Sequence, residues 1–370
     1  MAEQQTQLSR VIKLRNWYGK YERQISSISL IGGFVFDAVT LKRVDLFWEN
    51  FWVVAHLIIV GVCIVLVHAI EKNEGDERNP SSWHFWLVNT LQFFFGGILS
   101  TYLVFYFRSG DILVSWPFLL VLALAFWANE ALKRSFVRLS FQIGLFFLSI
   151  YSFAIFLVPI LLHQLGNWIF ILSGVVSLIF IALFLWLIRY VSKKEFEGGK
   201  TLLFSTIAGV FILINTLYFT NLLPPIPLSL KDAGVYYSMS RGADGNFVGV
   251  TEEKPWTDYF KFYPKFNYLP GQPVVIFTAI FSPSDLNLKI IHEWQRLDKN
   301  WKWVTVSQVH LTVVGGRDGG FRTFSQKTVG LSDGKWRVNI KTTTGQFIGT
   351  VRFTLVEASD LPKVEQVIKD

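Results

Sequence analysis

Cysteine is all but absent. Cys63 is the single one and lies inside an apolar run. No intramolecular disulfide can form, and no zinc site with several cysteine ligands can be built within one chain. Charge is scarce too: Asp, Glu, Lys and Arg make up 17% of 370 residues, against about 25% in soluble globular proteins. The net charge of +8 contains no Lys/Arg block of the kind that grips nucleic acid, so nucleic acid is not an expected partner. Several motifs are missing as well. There is no H-E-x-x-H, no G-x-S-x-G, no paired-Asp pattern, no Ser/His/Asp or paired-carboxylate set and no Arg ladder. The last apolar run has no lysine to carry a retinal Schiff base. No inverted repeat of the transporter kind is visible. The chain is therefore not expected to be an enzyme, and neither a cofactor nor a metal is expected.

What fills the space is hydrophobic residues, 51% of the chain. Six apolar runs can span about 30 Å of hydrocarbon as helices: Leu46–Ile70, Trp83–Phe107, Ile112–Ala128, Leu139–Leu162, Trp168–Ile188 and Leu202–Leu222. A seventh, Ile25–Leu41, is short and carries Asp37, Gly32 and Gly33. Residues 1–24 read as a basic amphipathic leader on the inner membrane surface, with Arg10, Lys13, Arg15, Lys20 and Arg23 between apolar positions at near-helical spacing. Residues 25–222 are the membrane domain, 223–232 a joint stiffened by Pro224, Pro225 and Pro227, and 233–370 a soluble domain.

Lys and Arg decide how many runs cross. If Ile25–Leu41 does not span, eight lie on one side and nine on the other. If it does, the leader and the loops on its side hold fourteen, against Lys42, Arg43 and Arg108 outside. The asymmetry predicts seven spans, the amino terminus inside and the tail domain outside. Asp37, Asp45, Glu49 and His56 then gather in the outer leaflet. Glu49 and His56, seven apart, share a helix face. Such groups can form a proton- or cation-handling site, or simply ion pairs that fix the hairpin. Asn89, Gln92 and Gln142 are expected to hydrogen-bond between helices.

The tail alternates as strands do, with turn residues between: Gly234–Ser240, Asn246–Thr251, Val274–Phe281, Lys289–Leu297, Trp303–Val313, Phe321–Lys327, Lys335–Lys341 and Phe347–Val356. Leu361–Ile368 reads as a short terminal helix. Eight short strands predict an all-β sandwich, immunoglobulin-like in general architecture, following the all-α membrane bundle. Trp336, Val338 and Ile340 share one strand face and Lys335, Arg337, Asn339 and Lys341 the other.

His292-Glu293-Trp294, Phe321-Arg322-Thr323-Phe324-Ser325, Gly334-Lys335-Trp336-Arg337-Val338, Gly345 and Phe353 resemble the bacterial C-terminal domain of unknown function numbered 2914, over residues 265–357. Gly33 to Asp37 and Arg43-Val44-Asp45 are similar to membrane halves that accompany it. The resemblance implies a β domain tethered to a bacterial cytoplasmic membrane, with no activity attached. His292, Trp294, Arg322, Ser325 and Arg337 are candidates for an exposed patch that binds a glycan or an acidic ligand, although a regular strand puts Arg322 and Ser325 on opposite faces. The alternative is that the tryptophans are core and the polar groups satisfy backbone. Three functions follow as expectations. The first is a domain that binds an envelope glycan, lipid head group or protein partner. The second is a transporter or membrane enzyme working at the outer-leaflet cluster, and the third a scaffold subunit.

Overall fold

The computed structural model describes residues 31–41, 43, 45–74, 82–131, 138–243, 245–253, 255–283, 286–360 and 362–369. The basic leader, the first part of Ile25–Leu41 and Lys42 lie outside them. The described helices are α1 (Ile31–Thr40), α2 (Phe47–Glu74), α3 (Ser82–Arg108), α4 (Ile112–Ala131), α5 (Leu139–Leu162), α6 (Asn167–Val191) and α7 (Lys193–Phe219). Six of them, α2 to α7, are long and apolar enough to cross a membrane, and the chain is a multi-pass membrane protein. The described part of the expected first span is the ten-residue α1.

The chain divides into two compact units. The first comprises Met1–Val104, Val121–Ile150 and Phe180–Ala208, the second Phe105–Leu120, Tyr151–Ile179 and Gly209–Asp370. In hydrocarbon polar groups need internal partners, and several in the first unit have them. Gln92 and Asn129 each donate their side-chain amide to the other's backbone carbonyl at 3.0 Å. Tyr102 donates to the Ser149 carbonyl at 2.8 Å, and Gln142 Oε1 lies 3.1 Å from His68 Nε2. Gln92 and Gln142 thus make the interhelical bonds expected of them. Small residues bring backbones close: a Cβ on Gly144 of α5 would sit 2.6 Å from the Thr206 methyl of α7.

The described residues of the second unit form eleven strands in three sheets: β1 (Ser229–Tyr236), β2 (Ser238–Arg241), β3 (Phe247–Glu252), β4 (Lys265–Tyr268), β5 (Val274–Phe281), β6 (Leu288–Leu297), β7 (Trp303–Val313), β8 (Phe321–Lys327), β9 (Gly334–Thr342), β10 (Phe347–Glu357) and β11 (Val364–Lys369). A middle sheet runs β1-β5-β8, a five-stranded sheet β4-β10-β9-β6-β7, and a small sheet β11-β3-β2. The middle sheet is covered on both faces, so every residue of β5 is buried. One face packs Val235, Val274 and Ile276 against Trp294, Trp336, Val338 and Phe353 of the five-stranded sheet. The other packs Tyr236, Val275 and Phe277 against Met239, Phe247 and Val367 of the small sheet.

Two expectations are corrected here. The stretch Gly234–Ser240 is not one strand: it bends at Tyr237, and β1 and β2 lie in different sheets. The expected terminal helix is β11, which pairs with β3 from Val364↔Glu252 to Lys369↔Phe247. Val367 there faces inward, while Glu365 and Ile368 are exposed. The small sheet was not foreseen.

Helix ends and β core form one body within this unit. Asn221, left-handed at φ 58, ends α7, and the Leu223 N–H reaches back to the Leu217 carbonyl at 3.1 Å. Leu165, in the turn between α5 and α6, packs against the cluster of Leu228, Ile280, Ile290, Ile340 and Ile348. At the α7 end of the joint, the β9–β10 turn brings Gly345 to Asn221, where a Cβ on Gly345 would sit 3.4 Å from the Asn221 amide.

Candidate functional site

Three of the five expected patch residues do meet, but in the core. His292 and Trp294 occupy the inward face of β6, and Ser325 stands opposite on β8. His292 Nδ1 lies 2.9 Å and Trp294 Nε1 3.1 Å from the Ser325 hydroxyl, while His292 Nε2 lies 3.2 Å from the Thr278 hydroxyl. His292 and Trp294 are fully buried, so the expectation that they line an exposed patch is corrected. Polar residue type suggested exposure, but two hydroxyls of the facing sheet satisfy both ring nitrogens. Burial pushes the imidazole down to about 4, and it stays neutral. The cluster clamps the two sheets together.

Arg322 and Ser325 point to opposite sides of β8, as regular alternation requires. Both are buried because the middle sheet is covered twice. Arg322 donates to Asn246 Oδ1 at 3.2 Å and to the Lys369 carbonyl, with its guanidinium 5.8 Å from the Phe247 ring. It fastens the small sheet to the middle one. Arg337 stands apart from the other four, on the outward face of the five-stranded sheet.

The membrane candidates belong to the first unit and separate into three environments. Arg43 holds Asp45 through two bonds of 2.9 and 2.5 Å, and its backbone N–H donates to Glu49 at 3.0 Å. Asp37 bonds Ser100. His56 Nδ1 lies 2.9 Å from the Trp52 carbonyl, and its ring sits between Trp52 and Phe94 at 4.6 and 4.9 Å. Among the described residues no hydrogen bond or ion pair joins His56 to the three carboxylates. His68, not among the candidates above, is buried, with its Nδ1 2.5 Å from Glu195 Oε2. No group of three or more His, Cys, Asp or Glu among the described residues could hold a metal.

The polar surface that the fold does assemble is the outward face of the five-stranded sheet. Strand register sets its rows. Arg352, Arg337, Gln295 and Thr305 form one, Thr350, Asn339, Glu293 and Gln308 the next, and Lys265, Thr354 and Lys335 a third. Glu293 is the hub. Its Oε2 accepts from Lys341 at 2.5 Å and Asn339 at 3.2 Å, its Oε1 from Thr305 at 3.2 Å and Gln308 at 3.4 Å. Burial pushes its carboxyl up, but the Lys341 and Asn339 bonds outweigh burial and hold it below its ordinary value.

Cations lie over rings around this hub: Arg337 over Trp303 at 4.3 Å, Arg352 over Phe262 at 4.8 Å, Lys341 over Phe347 at 4.6 Å and Lys335 over Tyr263 at 5.2 Å. Two of the four have a carboxylate, Lys341 with Glu293 and Arg352 with Asp111 at 3.2 Å. Among the described residues Lys335 and Arg337 have none within ion-pair distance, and Arg337 donates instead to Gln295 Oε1 at 2.8 Å. Alternation alone placed Lys335, Arg337, Asn339 and Lys341 together. The rings come from other segments, which no local pattern links to β9.

Comparison with known proteins adds little chemistry. The family described as a protein of unknown function, DUF2914, matches residues 287–355, which run from the start of β6 to near the end of β10. No curated protein matches the chain. Among solved structures, the Pseudomonas fluorescens alkylpurine DNA glycosylase AlkC, bound to DNA containing an abasic site analog, aligns at 10% identity. The alignment covers 83% of this chain and 99% of that one with a TM-score of 0.21, too low to carry any inference.

Proposed function

We propose that this protein displays its β domain on the non-cytoplasmic side of a membrane and binds an anionic ligand there. The ligand class is a sugar or lipid head group carrying carboxylate or phosphate, and the site is the outward face of the five-stranded sheet. One observation carries the reading: Lys335 and Arg337 present cationic groups on aromatic supports, and among the described residues no carboxylate lies within ion-pair distance of either. A guanidinium stacked on a tryptophan keeps a flat edge of donors for a bidentate anion.

The seven-span reading is supported by the fourteen-to-three charge asymmetry of the loops. An immunoglobulin-like arrangement is supported by the order β4-β10-β9-β6-β7 opposite β1-β5-β8, by the parallel β4–β10 pair and by the buried Trp294. The transporter reading is weaker, since His56 bonds the Trp52 carbonyl while Asp45 and Glu49 bond Arg43.

The test uses the full chain in nanodiscs of neutral phosphatidylcholine. Oligogalacturonate and glycerol phosphate are each expected to raise the unfolding temperature. Arg337→Gln should weaken binding by about tenfold or more, the cost of one charge-assisted hydrogen bond of roughly 1.5–3 kcal/mol. The wild-type affinity should fall as salt rises. No shift with any anion would remove the proposal.

A further inference from the structure

We propose that the segment from Trp256 to Tyr263 is a foot on which the β domain rests in the membrane interface, with Trp256, Phe260 and Phe262 among the lipid head groups. These three are 74, 83 and 58% exposed, an unusual display of large apolar surface on eight consecutive residues. The segment is nonetheless built, not loose. Trp256–Phe260 is a 3-10 turn started by Pro255, whose carbonyl accepts the Asp258 N–H at 2.9 Å. Its two charged residues, Asp258 and Lys261, pair with each other at 2.7 Å. Tyr263 stacks on Trp303, 6.3 Å between centroids at 12°, which pins the far end to the sheet.

Two lines of geometry, both within the second unit, place the segment beside the helix ends. Phe262 lies under Arg352, 4.8 Å from its guanidinium, and Arg352 bonds Asp111 at 3.2 Å. Asp111 caps α4, accepting the Leu113 N–H at 3.0 Å. The exposed Ile112, Leu113 and Trp116 follow at once. Phe262 is thus two contacts from the first turn of a membrane-spanning helix. In addition, β4 runs parallel to β10 with Lys265 opposite Thr354. Residues before Lys265 therefore lie toward the start of β10, the end at which Gly345 meets Asn221 beyond α7. The occupant that fits is the bilayer those helices cross: aromatic rings with a paired charge between them suit the interface, where one side is apolar and the other wet. The inference rests on the helices being spans and not on the ligand of the basic face, so a failed ligand screen would leave it standing.

The test is site-directed fluorescence on the full chain in phosphatidylcholine vesicles. Cys63 is buried, so Phe260→Cys, or Trp256→Cys as a second site, offers one reactive thiol for a polarity-sensitive dye. Val329→Cys is the reference, 82% exposed in the β8–β9 turn at the opposite end of β9. The expected result is blue-shifted emission at 256 and 260, quenched several-fold more by a head-group nitroxide lipid than at 329 and protected from aqueous iodide. Iodide quenching equal to that at 329 overturns the inference. So does a blue shift without lipid quenching, which would mean that protein and not lipid covers the segment.

Discussion

Trp294→Ala is expected to lower the stability of the β domain by about 4 kcal/mol, the range for emptying a fully buried tryptophan site. The indole is sealed between β6 and the middle sheet. It meets Phe353 edge-on at 6.4 Å, and its N–H donates to Ser325. Removing it opens a cavity and also strips Ser325 of one of its two ring partners. Because the surrounding strands are held by backbone ladders on both sides, the site has little freedom to collapse. Chemical denaturation of the full chain in nanodiscs, followed by near-ultraviolet circular dichroism, measures the effect. A loss under about 1 kcal/mol would place the side chain outside the core. It follows that lost function in Trp294→Ala reports on folding, whereas Arg337→Gln, on the outward face, reports on binding.

The second large effect is on pH. His292 has a folded pKa of about 4 against 6.5 for the free side chain, so between those values the unfolded chain binds more protons than the folded one. The stability of the neutral, buried ring is fully present above about pH 6.5 and is lost progressively down to about pH 4, roughly 3 kcal/mol in all. Glu293 acts in the same direction, but only lower, since its carboxyl lies below the ordinary range. Within the β domain the window from pH 6.5 to about 5 therefore belongs to His292. Unfolding free energies of wild type should fall across it, and those of His292→Gln should fall distinctly less. Equal slopes would mean that the ring is charged, or exposed, in the folded chain.

How far the sequence reaches can be read from individual elements. The long helices were legible, because an apolar run of twenty residues leaves few alternatives. Strands of ordinary length, such as β5 to β10, were recovered within a few residues from alternation and turn residues. β4 was not: Lys265–Tyr268 is four residues between Pro264 and Pro270, too short to show a period. β11 carries a helical signal in sequence, since Val364, Val367 and Ile368 fall at a spacing of three to four. Pairing with β3, a contact across more than a hundred residues, decides the matter. The candidate site divides in the same way. The outward grouping of Lys335, Arg337, Asn339 and Lys341 is a local property of one strand and was visible. The burial of His292 depends on the hydroxyls of Thr278 and Ser325, and the aromatic supports on Trp303, Phe262 and Phe347. Those relations exist only once the sheets are assembled.

The measurement that bears most directly on the whole account is the side of the membrane on which the β domain lies. Val329→Cys in intact cells, treated with a membrane-impermeant maleimide, is predicted to label fully without permeabilisation, with the buried Cys63 contributing no background. Labelling that appears only after the membrane is opened would put the domain and its basic face on the inner side, and would contradict both the seven-span topology and the external ligand.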